Sequence, residues 1–157
     1  MAATWWIDQP HLLGSSNPTD DDLVALRSAG FGAIVCLLDE SEQSPRYDVA
    51  SAANLGYTRR CIPVRDFQAP SPDQLDEFVT FVQSLNSETH VLVHCQAGIG
   101  RTATMAAAYW IARGLSVADA IARIRRVRPG AVESDAQLQV LQDFAARRSA
   151  TSAADGN

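Results

Sequence analysis

Lysine is missing altogether: all 13 basic residues of this 157-residue chain are arginine. Without an ε-amine there is no Schiff-base chemistry, and no Walker-type nucleotide loop, whose glycines lead into a lysine. Cysteine is scarce, three in all and without a framework spacing. That excludes a disulfide scaffold and makes a reducing cytoplasm the expected compartment. No apolar run approaches the roughly 20 residues a membrane span needs. The segment Met1–Asp8 has neither the basic start nor the apolar centre of a secretory signal. A formal net charge of −5 argues against nucleic acid or an anionic membrane as partner.

What is present suits a soluble globular domain. Hydrophobic residues make up 46% of the chain and charged ones 20%, enough apolar surface for one substantial core at this length. A single domain is expected over residues 1–148. Ser149–Asn157 is small and polar and reads as a disordered tail. The oligomeric state is not legible, with a monomer as the default.

Strands are expected at Leu12–Gly14, Ala33–Leu38, Tyr57–Val64 and Val91–His94, where apolar and β-branched residues cluster. Helix starts are marked by capping pairs: Thr19 with Asp22, Ser71 with Gln74 and a proline between them, Ser116 with Asp119, and Ser134 with Gln137. The first, second and last of these helices are expected to stop near Gly30, Asn86 and Arg148, and the third carries an apolar stripe of Val117, Ala120, Ile121, Ile124 and Val127. A weaker helix is expected over Tyr47–Asn54, and a further one over Thr102–Arg113. Strands alternating with helices predict an α/β fold: one mostly parallel sheet of four or five strands, flanked by helices on both faces. Ligands of such sheets bind at the carboxyl ends of the strands.

The segment His94-Cys95-Gln96-Ala97-Gly98-Ile99-Gly100-Arg101-Thr102 falls at one of those ends. A strand, a glycine-bearing turn and a helix start make an anion cradle of backbone N–H groups, to which the helix dipole adds. Such a field favours a thiolate at Cys95 over the thiol. Arg101 offers a planar fork that matches two phosphate oxygens, and a cation in a helix's first turn otherwise opposes the dipole. A thiolate aimed at a bound phosphoryl group describes covalent phosphate-ester hydrolysis.

The pattern His-Cys-x-x-Gly-x-x-Arg-Thr resembles the signature loop of the protein tyrosine phosphatase superfamily, and the short chain resembles its small, atypical dual-specificity members. The likeness extends through Trp5-Trp6, Leu13-Gly14-Ser15, Ile62–Phe67 with Ala69-Pro70, and Arg128–Glu133. The resemblance implies a cysteine-phosphatase fold and metal-free, cofactor-free hydrolysis of phosphomonoesters. Phosphotyrosine in a protein or peptide is the favoured substrate, and phosphoserine or phosphothreonine an alternative. Phosphate, sulfate or vanadate would lodge in the loop. Cys95 would be the nucleophile, Arg101 the clamp and Asp66 the general acid. Thr102 would bond the departing thiolate, and His94 would orient the loop. Gln96, Ala97, Gly98, Ile99 and Gly100 would hold phosphate through their N–H groups. Gln137 matches a water-positioning glutamine and also fits the third position of a capping box, so both roles stay open.

Several bland alternatives stand beside these assignments. Asp66 could bond its own turn, and Asp39 or Glu40 could supply the acid instead. Arg123, Arg125, Arg126 and Arg128 read as a solvated helix face, and Trp5 and Trp6 as packing residues. Cys36 or Cys61 could pair with Cys95 under oxidation. Gly98-Ile99-Gly100-Arg101-Thr102-Ala103 also fits a dinucleotide fingerprint, for which Asp119 has the spacing of the acidic ribose ligand but sits at a helix start. A phosphate-binding module without catalysis is a third possibility. Uncharged Gln96 and Ile99 disfavour a highly charged inositol head group, and Ala103 stands where relatives often carry glycine.

Overall fold

The computed structural model describes residues 1–155. In chain order the strands are β1 (Thr4–Asp8), β2 (Leu12–Ser15), β3 (Phe31–Cys36), β4 (Thr58–Cys61) and β5 (His90–His94). The helices are α1 (Asp20–Ser28), α2 (Val49–Asn54), α3 (Pro72–Ser84), α4 (Gly100–Ala112), α5 (Val117–Val127) and α6 (Asp135–Asp155). The strands form one sheet in the order β1-β2-β5-β3-β4. Every neighbouring pair is parallel except β1 with β2. This is the expected α/β architecture.

β5 is central because it is apolar on both faces. Val91 and Val93 join one core cluster with Ala33, Val35 and residues of α3, α4, α5 and α6. Leu92 and Ile34 join a second cluster with Leu23 of α1 and Ala52 of α2. The strand's period of two thus divides the helices between the faces. α4 is buried continuously from Arg101 to Ile111. Its alanines at 103, 106, 107 and 108 are fully buried; their small size lets neighbouring elements approach closely. Ala103 is therefore a packed methyl, at home in a helix.

Several boundaries differ from the sequence reading: β3, expected over Ala33–Leu38, runs Phe31–Cys36, and α2, expected from Tyr47, starts at Val49. β1 was expected only as packing residues. Its Trp5 and Ile7 are buried and alternate with more exposed neighbours, the pattern of an edge strand. β4 ends at Cys61 rather than Val64. The ladder continues as isolated bonds from Ile62 N to Cys36 O and Val64 N to Leu37 O, but Pro63 between them has no N–H to give. α6 runs through residues 149–155, expected to be tail, because this alanine-rich stretch propagates a helix well and Thr151 Oγ1 donates to Arg147 O, one turn back. Residues 156–157 of that tail lie outside the described residues.

Candidate active site

The loop between β5 and α4 is shaped by what it packs against. Gly98 has φ +75°, and a Cβ there would lie 2.6 Å from Ser16 N and 2.7 Å from Ser15 C. Only glycine fits that combination of left-handed backbone and close approach. The Gly98 carbonyl accepts from Trp5 Nε1 at 2.9 Å, and the same indole lies against Gly14, where a Cβ would meet it at 2.7 Å. β1 and β2 therefore carry the loop. Asn17 anchors its other side: its N–H reaches Gln96 O and its Nδ2 reaches Gln96 Oε1, both at 3.0 Å.

Cys95 is buried, and its Sγ accepts two hydrogen bonds of 3.1 Å, from Gly98 N–H and Thr102 Oγ1. Both donors are aimed at the sulfur. α4 begins without a side-chain cap, so nothing from the chain's own side chains competes for the N–H groups of its first turn. A cleft of about 240 Å³ opens above the sulfur. It is lined by Asp66, Phe67, Gln96, Ala97, Ile99, Gly100, Arg101, Glu133 and Gln137 as well as Cys95.

Arg101 is almost fully buried. Its Nη1 donates to Val64 O and its Nη2 to Gln43 Oε1, both at 3.0 Å. Nη2 also lies 3.2 Å from Asp66 Oδ1, so acid and clamp stand at the same wall of the cleft. The rival acids fare differently. Asp39 is bonded by both the hydroxyl and the N–H of Ser41, which hold its carboxyl below the usual carboxylate range, with Arg65 adding to this. Glu40 pairs with Arg59. Neither lines the cleft.

His94 lies wholly buried behind the loop. Its Nδ1 is 3.3 Å from Cys95 O and its Nε2 is 2.9 Å from the Tyr47 hydroxyl. Arg59 Nε donates to that hydroxyl at 3.0 Å, which leaves the phenol proton for His94. This is the arrangement of an orienting residue. Gln137 divides its amide. Oε1 accepts from Glu133 N at 2.9 Å, Gln137 N–H bonds the capping Ser134 hydroxyl, and Nε2 lies against Gly100 at the cleft. One end caps while the other faces the site.

Other expectations are corrected. Cys36 is in register with both His94 and Cys61, on the face that packs against α1 and α2, whereas Cys95 belongs to the opposite core. A bridge from Cys36 to Cys95 would have to pass through the sheet. The Cys61 thiol instead draws Cys36 down in pKa despite burial, aided by His94, and is itself pushed up by Cys36. The arginines at 123, 125 and 126 of α5 are exposed, as expected; Arg125 also bonds Ala131 O and Val132 O, holding the turn that delivers Glu133, and Arg123 stacks on Trp110. Asp119 sits in the first turn of α5 beneath the Ser116 cap. α4 is followed directly by α5, and among the described residues no strand follows it to place Asp119 as a ribose ligand, so the dinucleotide reading fails.

The sequence reading missed Gln43, Asn17 and Tyr47 as site supports. Nothing local in the segment after β3 says which residues it faces. Trp5, read from sequence as a packing residue, also hydrogen-bonds the loop.

Comparison with known proteins agrees with this geometry. The family model "Tc-R-P: Polymorphic toxin system, DSP-PTPase phosphatase" matches residues 11–115. Phosphatidylglycerophosphate phosphatase PTPMT2 of Arabidopsis thaliana is 31% identical over 147 residues, 89% of this chain and 62% of that protein. The chain thus spans less than two thirds of that relative's length. The crystal structure of Tk-PTP in its active form superposes with TM-score 0.83 at 33% identity, over 92% of this chain and 97% of that one. PTPMT1 in complex with PI(5)P shares the fold with TM-score 0.84 at 24% identity, over 93% and 96% of the two chains. With a cysteine, an arginine and an aspartate gathered at one cleft of this fold, and with the family model spanning most of the chain, this protein belongs to the DSP-PTPase phosphatases, the small atypical dual-specificity group of the protein tyrosine phosphatase superfamily.

Proposed function

We propose that this chain hydrolyses phosphomonoesters in two covalent steps on Cys95. The observation that carries the reading is the sulfur itself, held at the floor of the cleft by the Gly98 N–H and the Thr102 hydroxyl, with Arg101 and Asp66 on the wall above it. The Cys95 thiolate attacks phosphorus in line, forming the P–S bond as the P–O bond breaks. Arg101 and the loop's N–H groups carry the charge on the equatorial oxygens. Protonated Asp66 gives its proton to the leaving oxygen. A water then attacks the cysteinyl-phosphate and passes a proton to Asp66, releasing phosphate and the thiolate. Thr102 bonds the departing sulfur, and the Gln137 amide end facing Gly100 steadies the water.

For substrate, the reading favours phosphotyrosine in a protein or peptide, with phosphoserine and phosphothreonine admitted. Among the described residues Arg101 is the only basic one lining the cleft, and Glu133 stands in its wall. A head group bearing several phosphates would find no second cation there. The exposed ring of Phe67 at the rim suits an aromatic or apolar leaving group. The relative named as a phosphatidylglycerophosphate phosphatase, with the PTPMT1 complex of PI(5)P, supplies the competing reading. Comparing kcat/KM across phosphotyrosyl, phosphoseryl and phospholipid substrates tests it: the phosphotyrosyl peptide is expected to lead, and a lead by phosphatidylglycerophosphate would reverse the assignment. A nucleophilic thiol needs a reducing compartment, which supports the cytoplasm as its place of action.

A further inference from the structure

Gln43 belongs to the turn between β3 and α2, 58 residues before Arg101 in sequence, and no motif marks it. Its single amide spans the two groups on which the chemistry depends. Oε1 accepts from Arg101 Nη2 at 3.0 Å, and Nε2 donates to Asp66 Oδ2 at 3.1 Å. The other Asp66 oxygen, Oδ1, is 3.2 Å from the same Nη2. Gln43, Asp66 and Arg101 therefore close a three-membered ring of contacts at the wall of the cleft.

The turn that presents Gln43 is itself fixed. Asp39 O accepts from the N–H groups of Glu42 and Gln43, both at 2.9 Å. The Glu42 carboxylate accepts from Asp66 N–H at 3.1 Å, and Arg65 lies within 4 Å of both Asp39 and Glu42. The Gln43 turn and the Asp66 loop are strapped together.

Resting on the phosphatase reading, we propose that Gln43 is a positioning residue that ties the general acid Asp66 to the phosphate clamp Arg101. Nη2 has two hydrogens, and the two contacts from Gln43 and Asp66 occupy both. A phosphoryl oxygen that takes this nitrogen replaces one partner. The contact with Asp66 Oδ1 is the one exchanged, because Asp66 must turn toward the leaving oxygen to act. Through that exchange Nε2 of Gln43 keeps hold of Oδ2, so the acid stays beside the cleft instead of swinging into solvent. Glutamine suits the task because one planar group presents an acceptor to the cation and a donor to the carboxylate. Alanine has neither, and glutamate keeps only the acceptor.

The test reads dependence on the leaving group, which a merely structural role would not alter. Nitrophenolate departs with little need of a proton, whereas phenolate needs one. In Gln43→Ala, kcat/KM is expected to fall about tenfold further for phenyl phosphate than for para-nitrophenyl phosphate, a part of the roughly 10²–10⁴-fold a general acid supplies. In an Asp66→Asn background, Gln43→Ala should add no further discrimination between the two esters. If the alanine variant melts early, Gln43→Glu carries the same test, since it keeps the acceptor for Arg101 and loses the donor to Asp66; the same discrimination is expected. Equal losses on both esters, or full additivity with Asp66→Asn, would overturn the role of Gln43 alone. A wild-type chain that hydrolyses neither ester overturns the phosphatase reading and this role together.

Discussion

The Thr102 hydroxyl donates to the Cys95 sulfur across 3.1 Å, although the two residues lie on opposite sides of the loop. Because the thiolate is the group expelled in the second step, this bond should matter more there than in the first. Thr102→Ala is expected to slow hydrolysis of the cysteinyl-phosphate more than its formation. Rapid-quench kinetics on an aryl phosphate would show a burst followed by a slow steady state. A uniform loss in both phases would assign Thr102 to the fold rather than to the step.

Cys95→Ser should abolish turnover while the cleft still binds oxyanions, since the loop amides and Arg101 remain. Protection of the melting temperature by vanadate or phosphate checks the second half. Chelators are expected to leave the wild-type rate unchanged, as no step above uses a metal.

Asp66→Asn keeps the shape and removes the transferable proton. Rates on phenyl phosphate should drop by about 10²–10⁴-fold, with a much smaller loss on para-nitrophenyl phosphate. The wild-type pH profile should be bell-shaped, because thiolate and protonated carboxyl are needed together. The variant should lose the limb on which rate falls as pH rises.

Gly98→Ala places a methyl against the backbone of Ser15 and Ser16 at a φ of +75°. The left-handed backbone alone costs about 1–2 kcal/mol, and the loop must shift to relieve the contact. Chemical denaturation should register the loss, and activity should fall with it, because the Gly98 N–H would no longer meet Cys95 Sγ.

At the start of α1, Thr19 and Asp22 cap each other, and Ala2 N–H also reaches the Asp22 carboxylate. Burial works against the charge, but the hydrogen bonds from Thr19 and Ala2 prevail and hold the carboxyl below its ordinary value of 3.8. The stability this contributes is present above that value and is lost as pH falls toward the lower, folded one. Acid titration of stability should therefore be shallower in Asp22→Asn. Thr19→Ala is expected to cost about 1 kcal/mol at neutral pH.

Local chemistry settles much of this molecule. Capping pairs place the starts of α1, α3 and α5, each confirmed by a side-chain bond to the backbone three residues on. Continuous apolar runs identify β3 and β5 as central, and the segment from Cys95 to Arg101 reads as an oxyanion cradle because strand, turn and helix are contiguous in sequence. What is contiguous can be read. The contacts that hold the acid, the clamp and the indole under the loop cannot, because each joins segments tens of residues apart: Gln43 with Asp66 and Arg101, Trp5 with Gly98, Tyr47 with His94. Strand order and register bring those segments together, and neither follows from any window of the chain. The same holds for Cys36, whose parity along β3 turns it away from Cys95. Sequence determined which groups could do the chemistry; the order of strands in the sheet decided which of them meet.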